Sequence, residues 1–199
     1  MPNKKNGRVI SMIRGLFVGR FQPFHLGHLY IIKKLLEEVD ELIIAIGSAQ
    51  YSHTFKDPFN AGERIWMVRS ALNEDGVDPR RYYLIPVPDV NDNRIWAAHV
   101  ASYTPPFQIV FSNNSLVKVL FEEAGYDVQP SQMYKRELYC ATEIRKKIVA
   151  NEKWEHLVPD SVAKIIKEIR GDKRLREIVK KDQEDSVAEK NSDSATQLL

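Results

Sequence analysis

Gly15-Leu16-Phe17-Val18-Gly19-Arg20-Phe21-Gln22-Pro23-Phe24-His25-Leu26-Gly27-His28 is the stretch from which the rest of this 199-residue chain is read. Leu16, Phe17 and Val18 form a short apolar run between glycines, the pattern of a strand buried on both faces. Pro23 has no amide hydrogen to give a ladder and marks a turn. From Leu29, the apolar residues Leu29, Ile32, Leu35, Leu36 and Val39 recur at helical spacing. A helix is therefore predicted to start at Gly27 or His28 and to lay one face on the sheet. Strand, turn and helix in that order gather Arg20, His25 and His28 at a helix N-terminus, where free N–H groups and the helix dipole favour an anion. Two imidazoles and a guanidinium there hold several phosphate oxygens at once. A lone histidine at a helix start is ordinarily a cap or a solvated side chain. His-x-Gly-His directly after a strand differs, because the glycine lets a large group approach the backbone between the rings.

Working outward, Leu42 to Gly47 is a second continuous apolar strand, one helix away from the first and so expected to be parallel to it. Glu63 to Leu72 is amphipathic and closed by Gly76, and Tyr82 to Val87 reads as a third strand. The loop Asp89 to Asn93 leads into a helix from about Arg94 to Ser102 that carries Trp96 and His99. Gln108 to Ser112 is a fourth strand, Leu116 to Glu123 a helix ended by Gly125, and Tyr126 to Val128 a short fifth strand. Thr142 is expected to cap a helix reaching about Asn151, and Pro159-Asp160 to open another reaching Arg170. Alternation of this kind predicts an α/β fold, a doubly wound parallel sheet of about five strands with helices on both faces and C-terminal helices.

Composition bounds the possibilities. An apolar content of 43% and a charged content of 28% describe a globular chain that buries one sizeable core. The net charge of +2 gives no argument for nucleic acid or a membrane surface. Cys140 is the one cysteine, so no internal disulfide framework exists and a reducing compartment fits. No apolar stretch follows Lys4, Lys5 and Arg8, so no signal peptide is expected, and no run approaches the ~18 apolar residues of a membrane span. Residues 1–11 are polar and read as a mobile extension, 12–181 as the domain, and 182–199 as a disordered tail with almost nothing to bury.

In an open parallel sheet, ligands sit beyond the carboxyl ends of the strands near the switch point. Arg20 to His28, Gly47 to Gln50, Asp89, and Ser112 to Asn114 all fall there. No Walker sequence and no Gly-x-Gly-x-x-Gly is present, and no His-Glu-x-x-His or Cys-His cluster points to a protein-held metal. Thr142-Glu143-Ile144-Arg145 offers a second helix end with an arginine one turn in, although alone it reads as a plain cap and a surface arginine. On spacing alone Trp96 reads as a core tryptophan, and Lys56 as a solvated loop lysine.

Gly19 to His28 resembles the nucleotidyltransferase superfamily that carries the His-x-Gly-His signature, and is similar to the archaeal type of nicotinamide-mononucleotide adenylyltransferase. Ile46-Gly47-Ser48-Ala49-Gln50, Asn60-Ala61-Gly62-Glu63-Arg64 and Thr142-Glu143-Ile144-Arg145 resemble the same branch, and the likeness runs from about Met12 to about Val179. It implies a Rossmann-like domain that transfers AMP from ATP to nicotinamide mononucleotide, giving NAD+ and pyrophosphate. A phosphate monoester is already an anionic nucleophile, so such a reaction needs alignment and charge neutralisation more than a strong base. The resemblance implies that Gly19, Arg20, Phe21, His25, Gly27, His28, Thr142 and Arg145 bind ATP, with His25, His28, Arg20 and Arg145 catalytic. Ser48, Gln50, Lys56, Asp89, Val90 and Trp96 would receive the mononucleotide, or its acid form, with Trp96 stacked on the pyridine ring. Lys56 stands where relatives can carry arginine. Magnesium is expected to arrive with ATP.

The chain departs from the family pattern at two loops. Cys140-Ala141-Thr142-Glu143 stands where relatives have Ser-Gly-Thr-Glu, and Ser112-Asn113-Asn114-Ser115 where they have Ser-Gly-Asn-Pro. The relatives also imply a homo-oligomer, a hexamer, while composition leads to the expectation of a cytoplasmic location with no nucleic-acid or membrane partner. Two other functions stay open on the sequence: adenylylation of phosphopantetheine or FMN on the same fold, and a nucleotide-sensing or nucleic-acid-binding regulator that keeps the pocket.

Overall fold

The structure, a computed structural model, describes residues 4, 5, 8, 9, 12–132, 134, 135 and 137–196. Five strands form one parallel sheet: β3 (Arg14–Gly19), β4 (Glu41–Ile46), β5 (Tyr82–Pro86), β6 (Ile109–Phe111) and β7 (Asp127–Gln129), in the spatial order β5-β4-β3-β6-β7. The chain winds outward from β3 through β4 to β5, then returns to β6 on the other side of β3. Beyond the carboxyl end of β3 lies the switch point. The crossovers are α1 (Leu26–Glu38), α2 (Ala61–Glu74), α3 (Trp96–Tyr103) and α4 (Ser115–Glu123), followed by α5 (Ala141–Val149), α6 (Asp160–Glu168) and α7 (Gly171–Thr196).

Strand periodicity divides the core into two. Phe17, Leu42, Ile44 and Ile46 face a cluster that takes in residues of α1, α2, α5, α6 and α7. Leu16, Ile43, Ala45 and Val110 face the opposite side, against Ala97 and Val100 of α3 and Phe121 of α4. Both faces are therefore covered, which is why these strands read as continuous apolar runs with no alternation. The doubly wound parallel sheet expected from the sequence is the one observed.

The ends of the chain differ from expectation. Within the N-terminal extension, β1 (Lys4–Lys5) and β2 (Arg8–Val9) pair antiparallel; the rest of residues 1–11 lies outside the described residues, as do 197–199. The backbone of α7 stays helical to Thr196, across most of the stretch expected to be disordered. A composition poor in apolar residues argues against docking, whereas Ala, Glu, Lys and Gln are good helix formers. The first turns of α7 do dock: Leu175 is fully buried, and Arg174 donates two hydrogen bonds to Glu63, at 2.9 and 2.7 Å.

Candidate active site

The helix α1 begins one residue earlier than its apolar spacing indicates, because its N-cap is His25. The Nδ1 atom of His25 accepts from the His28 amide at 3.2 Å, and Nδ1 of His28 accepts from the His25 amide at 3.3 Å. A reciprocal cap of this kind is usually built from serine and glutamate. The two rings stack, 3.5 Å between centroids and 16° between planes, and His28 also packs on Phe21 and Phe24. With Nδ1 occupied as an acceptor, each neutral ring carries its proton on Nε2. The sequence places two imidazoles at an anion site; the structure makes them neutral N–H donors.

Burial is the cause of that neutrality. It holds the His25 pKa down at about 3, and pushes His28 well below its ordinary value, with His25 adding a smaller electrostatic push. Below pH 6.5 the unfolded chain takes up these protons more readily than the folded protein. The corresponding stability is present above pH 6.5 and is lost as pH falls from there towards 3. His25→Asn keeps an oxygen acceptor at the cap and removes the titration. It should lose about 2 kcal/mol less stability than the wild type between pH 7 and 4.5, read by urea unfolding. Equal pH slopes for the two proteins would contradict this.

The cavity these histidines line is about 300 Å³ in volume, with Arg20, Phe21, Gly27, Cys140, Ala141, Thr142 and Arg145 among its walls. It joins the N-termini of α1 and α5, as the two helix ends in the sequence predict. Gly27 has a tighter reason to be glycine than ligand access: an added Cβ would lie 2.9 Å from Tyr139 Cβ and 3.1 Å from His25 Nδ1. The cap of α5 is Cys140, which makes no side-chain capping bond. Thr142, expected as the cap, lies inside the first turn, where its Oγ1 accepts from Arg145 Nη2 at 3.2 Å. Arg145 is 4% exposed, so it is no surface arginine; its Nη1 donates to the Gln22 carbonyl at 2.7 Å, while its buried Nε has no partner among the described residues. Burial, and then the charge of Arg20, push its pKa below the usual arginine value.

Gly19 does not line this cavity; a Cβ there would strike the Phe21 ring at 2.5 Å. The residues assigned to the mononucleotide also lie outside its walls, and Ser48, Gln50 and Asp89 form a second neighbourhood beyond β4 and β5. The Ser48 amide donates to Asp89 Oδ1 at 3.2 Å. Gln50 pairs with the Asp89 backbone twice, giving a bond from Nε2 to the carbonyl at 3.3 Å and taking one from the amide at 2.9 Å. Val90 follows on that loop. His99 Nε2 lies 2.9 Å from the Pro88 carbonyl, tying α3 to the loop, and half-buried Trp96 stacks on His99 with 6.0 Å between centroids. Lys56 is exposed and makes no bond among the described residues.

Sequence reading missed the residue that organises both neighbourhoods. Arg64 is fully buried, and its guanidinium donates to the carbonyls of Arg20 at 2.9 Å, Gly47 at 2.8 Å, Ser48 at 3.1 Å and Asn60 at 3.3 Å. Phe21 and Ser48, the residues beside those carbonyls, have φ values of 52° and 51°, a region that side chains larger than hydrogen seldom adopt. Arg64 thus fixes two strained turns with one planar fork. Its only sequence signal is its place four residues after Asn60, inside a segment already noted for its resemblance. Asp57, Gln22 and the Tyr134-Tyr139 wall were also missed. At the departing loop after β6, Asn113 Nδ2 donates to Ser131 O at 2.6 Å and to Ser131 Oγ at 2.8 Å, so the residue in place of a glycine clasps the neighbouring loop.

Comparisons with known proteins show the family. Residues 16–147 match the family model described as cytidylyltransferase-like. Nicotinamide-nucleotide adenylyltransferase of Saccharolobus solfataricus is 55% identical over 168 residues, covering 84% of this chain and 98% of the relative. The Methanosarcina barkeri enzyme of the same name is 53% identical over 176 residues, covering 88% of this chain and all of its own. A solved structure of a bifunctional NMN adenylyltransferase/ADP ribose pyrophosphatase from Francisella tularensis, complexed with AMP and a Mn ion, has 24% identity and a TM-score of 0.68. It shares the fold over 83% of this chain and 52% of its own length. This chain belongs to the cytidylyltransferase-like family and, within it, groups with the archaeal nicotinamide-nucleotide adenylyltransferases.

Proposed function

We infer that this protein is a nicotinamide-nucleotide adenylyltransferase, which transfers AMP from ATP to nicotinamide mononucleotide and releases pyrophosphate in NAD synthesis. The observation that carries this reading is the single cavity into which the stacked His25–His28 pair, Arg20, Arg145 and the N-terminus of α5 all converge. The phosphate of the mononucleotide attacks the α-phosphorus of ATP, and pyrophosphate leaves. The Nε2–H groups of His25 and His28 donate to oxygens around the reacting phosphorus without giving up a proton. Arg145, the Thr142 hydroxyl and the amides of α5 hold the leaving pyrophosphate, whose charge grows as the bond breaks. Donors already fixed by capping and burial cost little reorganisation at that moment.

ATP is expected as its magnesium complex. Among the described residues no three His, Cys, Asp or Glu side chains converge as a metal cage, so the ion would be held by phosphate and water. A homo-oligomer and a cytoplasmic location belong to the same proposal; among the described residues, no helix is long and apolar enough to cross a membrane.

The second neighbourhood supports a place for the pyridine ring. Trp96→Ala should raise KM for nicotinamide mononucleotide about 5- to 100-fold, the scale of a lost base stack, and leave KM for ATP nearly unchanged. A lower melting temperature with unaltered kinetics would return Trp96 to the core. The function itself is tested by pyrophosphate release from magnesium ATP against nicotinamide mononucleotide, its acid form, FMN and phosphopantetheine. Turnover of FMN or phosphopantetheine ahead of both pyridine nucleotides would overturn the reading.

A further inference from the structure

We propose that Asp57 is a positioning residue for adenylyl transfer, aiming the Arg20 guanidinium at the phosphates; the inference rests on Arg20 serving the triphosphate as above. Asp57 is 5% exposed, whereas the Arg20 side chain is 45% exposed. Asp57 Oδ1 lies 3.6 Å from Arg20 Nη1, close enough for an ion pair and too far for a hydrogen bond. That same oxygen is buried and has no hydrogen-bond partner among the described residues. Buried carboxylate oxygens are nearly always satisfied, and one left open beside a phosphate pocket works against an anionic ligand. Such a group calls for a role.

The place of Asp57 does not depend on its carboxylate. Its amide donates to Thr54 Oγ1 at 2.9 Å, and the Thr54 amide donates to its carbonyl at 3.3 Å. Two residues on, Gln22 pairs with the Phe59 backbone through Nε2 to the carbonyl at 2.8 Å and the Phe59 amide to Oε1 at 3.0 Å. The side chain of Gln22 thus pairs with Phe59 as a backbone amide would, stitching that residue to the Arg20–Gln22 loop. Backbone and Gln22 set the distance between Asp57 and Arg20, and among the described residues Asp57 Oδ1 accepts no hydrogen bond from the scaffold.

What the carboxylate faces is charge. Arg20 is nearest, and Arg64 and Arg145 both feel the field of Asp57 and of Arg20. Arg64 and Arg145 are already locked on carbonyls. Arg20 is the exposed member of the three, and Asp57 Oδ1 stands 3.6 Å from its Nη1. Asp57 therefore acts through Arg20, narrowing its orientations to those that meet the phosphates as their charge redistributes.

The test compares Asp57→Asn, Arg20→Ala and the double variant with the full-length enzyme under magnesium ATP. Asp57→Asn should keep the wild-type melting temperature, lower kcat about 10- to 100-fold, and leave KM for ATP unchanged or lower, since one repulsive charge is gone. In the Arg20→Ala background the same change should cost nothing further, and Asp57→Glu should recover part of kcat. A kcat for Asp57→Asn within about twofold of wild type, beside an impaired Arg20→Ala, would overturn the inference while leaving the phosphate role of Arg20 intact. Losses that multiply in the double variant would overturn it too, as would failure of both Asp57 variants to fold, which makes Asp57 scaffold. Near-normal kinetics for Arg20→Ala would instead bring down the reading of the site, and this inference with it.

Discussion

His28→Asn is expected to lower kcat about 100- to 1,000-fold, the usual loss when one preorganised donor to a developing charge is removed. Asparagine is the informative replacement because its amide oxygen overlies Nδ1 and still accepts from the His25 amide. The cap survives, and the distal N–H proposed to reach the phosphates is lost. His28→Gln, whose amide nitrogen overlies Nε2, should recover part of the rate. Alanine would confuse the result, since His28 packs on Phe21, Phe24 and His25 and its removal opens a hole. Steady-state kinetics with both substrates varied decide the matter. A His28→Asn enzyme with near-normal kcat would remove the histidine pair from the chemistry.

Arg64→Met is expected to cost about 3–5 kcal/mol of stability and to abolish most activity in whatever fraction folds. Methionine matches the volume of the arginine stem, so the loss is not one of packing. It strips the only hydrogen bonds that Arg64 provides to the carbonyls of Arg20, Gly47 and Ser48. The Gly47 and Ser48 oxygens are too enclosed to be resatisfied cheaply, and the left-handed residues Phe21 and Ser48 lose what holds them. Kinetic parameters for ATP and for the mononucleotide should therefore worsen together, which no variant confined to one neighbourhood would do. Arg64→Lys should fall between, since one ammonium cannot span four carbonyls. Urea unfolding and two-substrate kinetics read both effects, and a stability loss under about 1 kcal/mol would refute the account.

The sheet was legible because strands buried on both faces are apolar without interruption, and their order followed from the alternation with helices. The amphipathic spacing started α2 at Glu63, two residues late, and left unread the reciprocal cap that Asn60 and Glu63 form at its start. The two helix ends that border the cavity were legible as well, but their inner workings were not. Thr142 looks like a cap from sequence, yet the chain enters α5 through Cys140, and the threonine turns to Arg145. The neutrality of the histidines depends on Phe21 and Phe24 closing over them, which no local pattern reveals. Arg64 reaches residues 44 and 17 positions away, and Arg145 reaches Gln22 across 123 positions. Arginines on a helix read as surface charge until the fold brings carbonyls to them.

The start of α7 has a bearing on the order in which the molecule can be completed during synthesis. Phe59, whose backbone is stitched to Gln22 beside the cavity, is covered from outside by Gly171, where an added Cβ would stand 2.6 Å from its ring, and by Arg174, 5.8 Å above it. Arg174 also grips Glu63, the residue that closes the cap of α2. All five strands of the sheet precede residue 130, so the growing chain holds the whole sheet before it holds this brace. The loops that border the cavity are thus braced by contacts that are made only after the whole sheet has been synthesised. A chain released short of Leu175 would carry a complete sheet and an unbraced entrance to its own site.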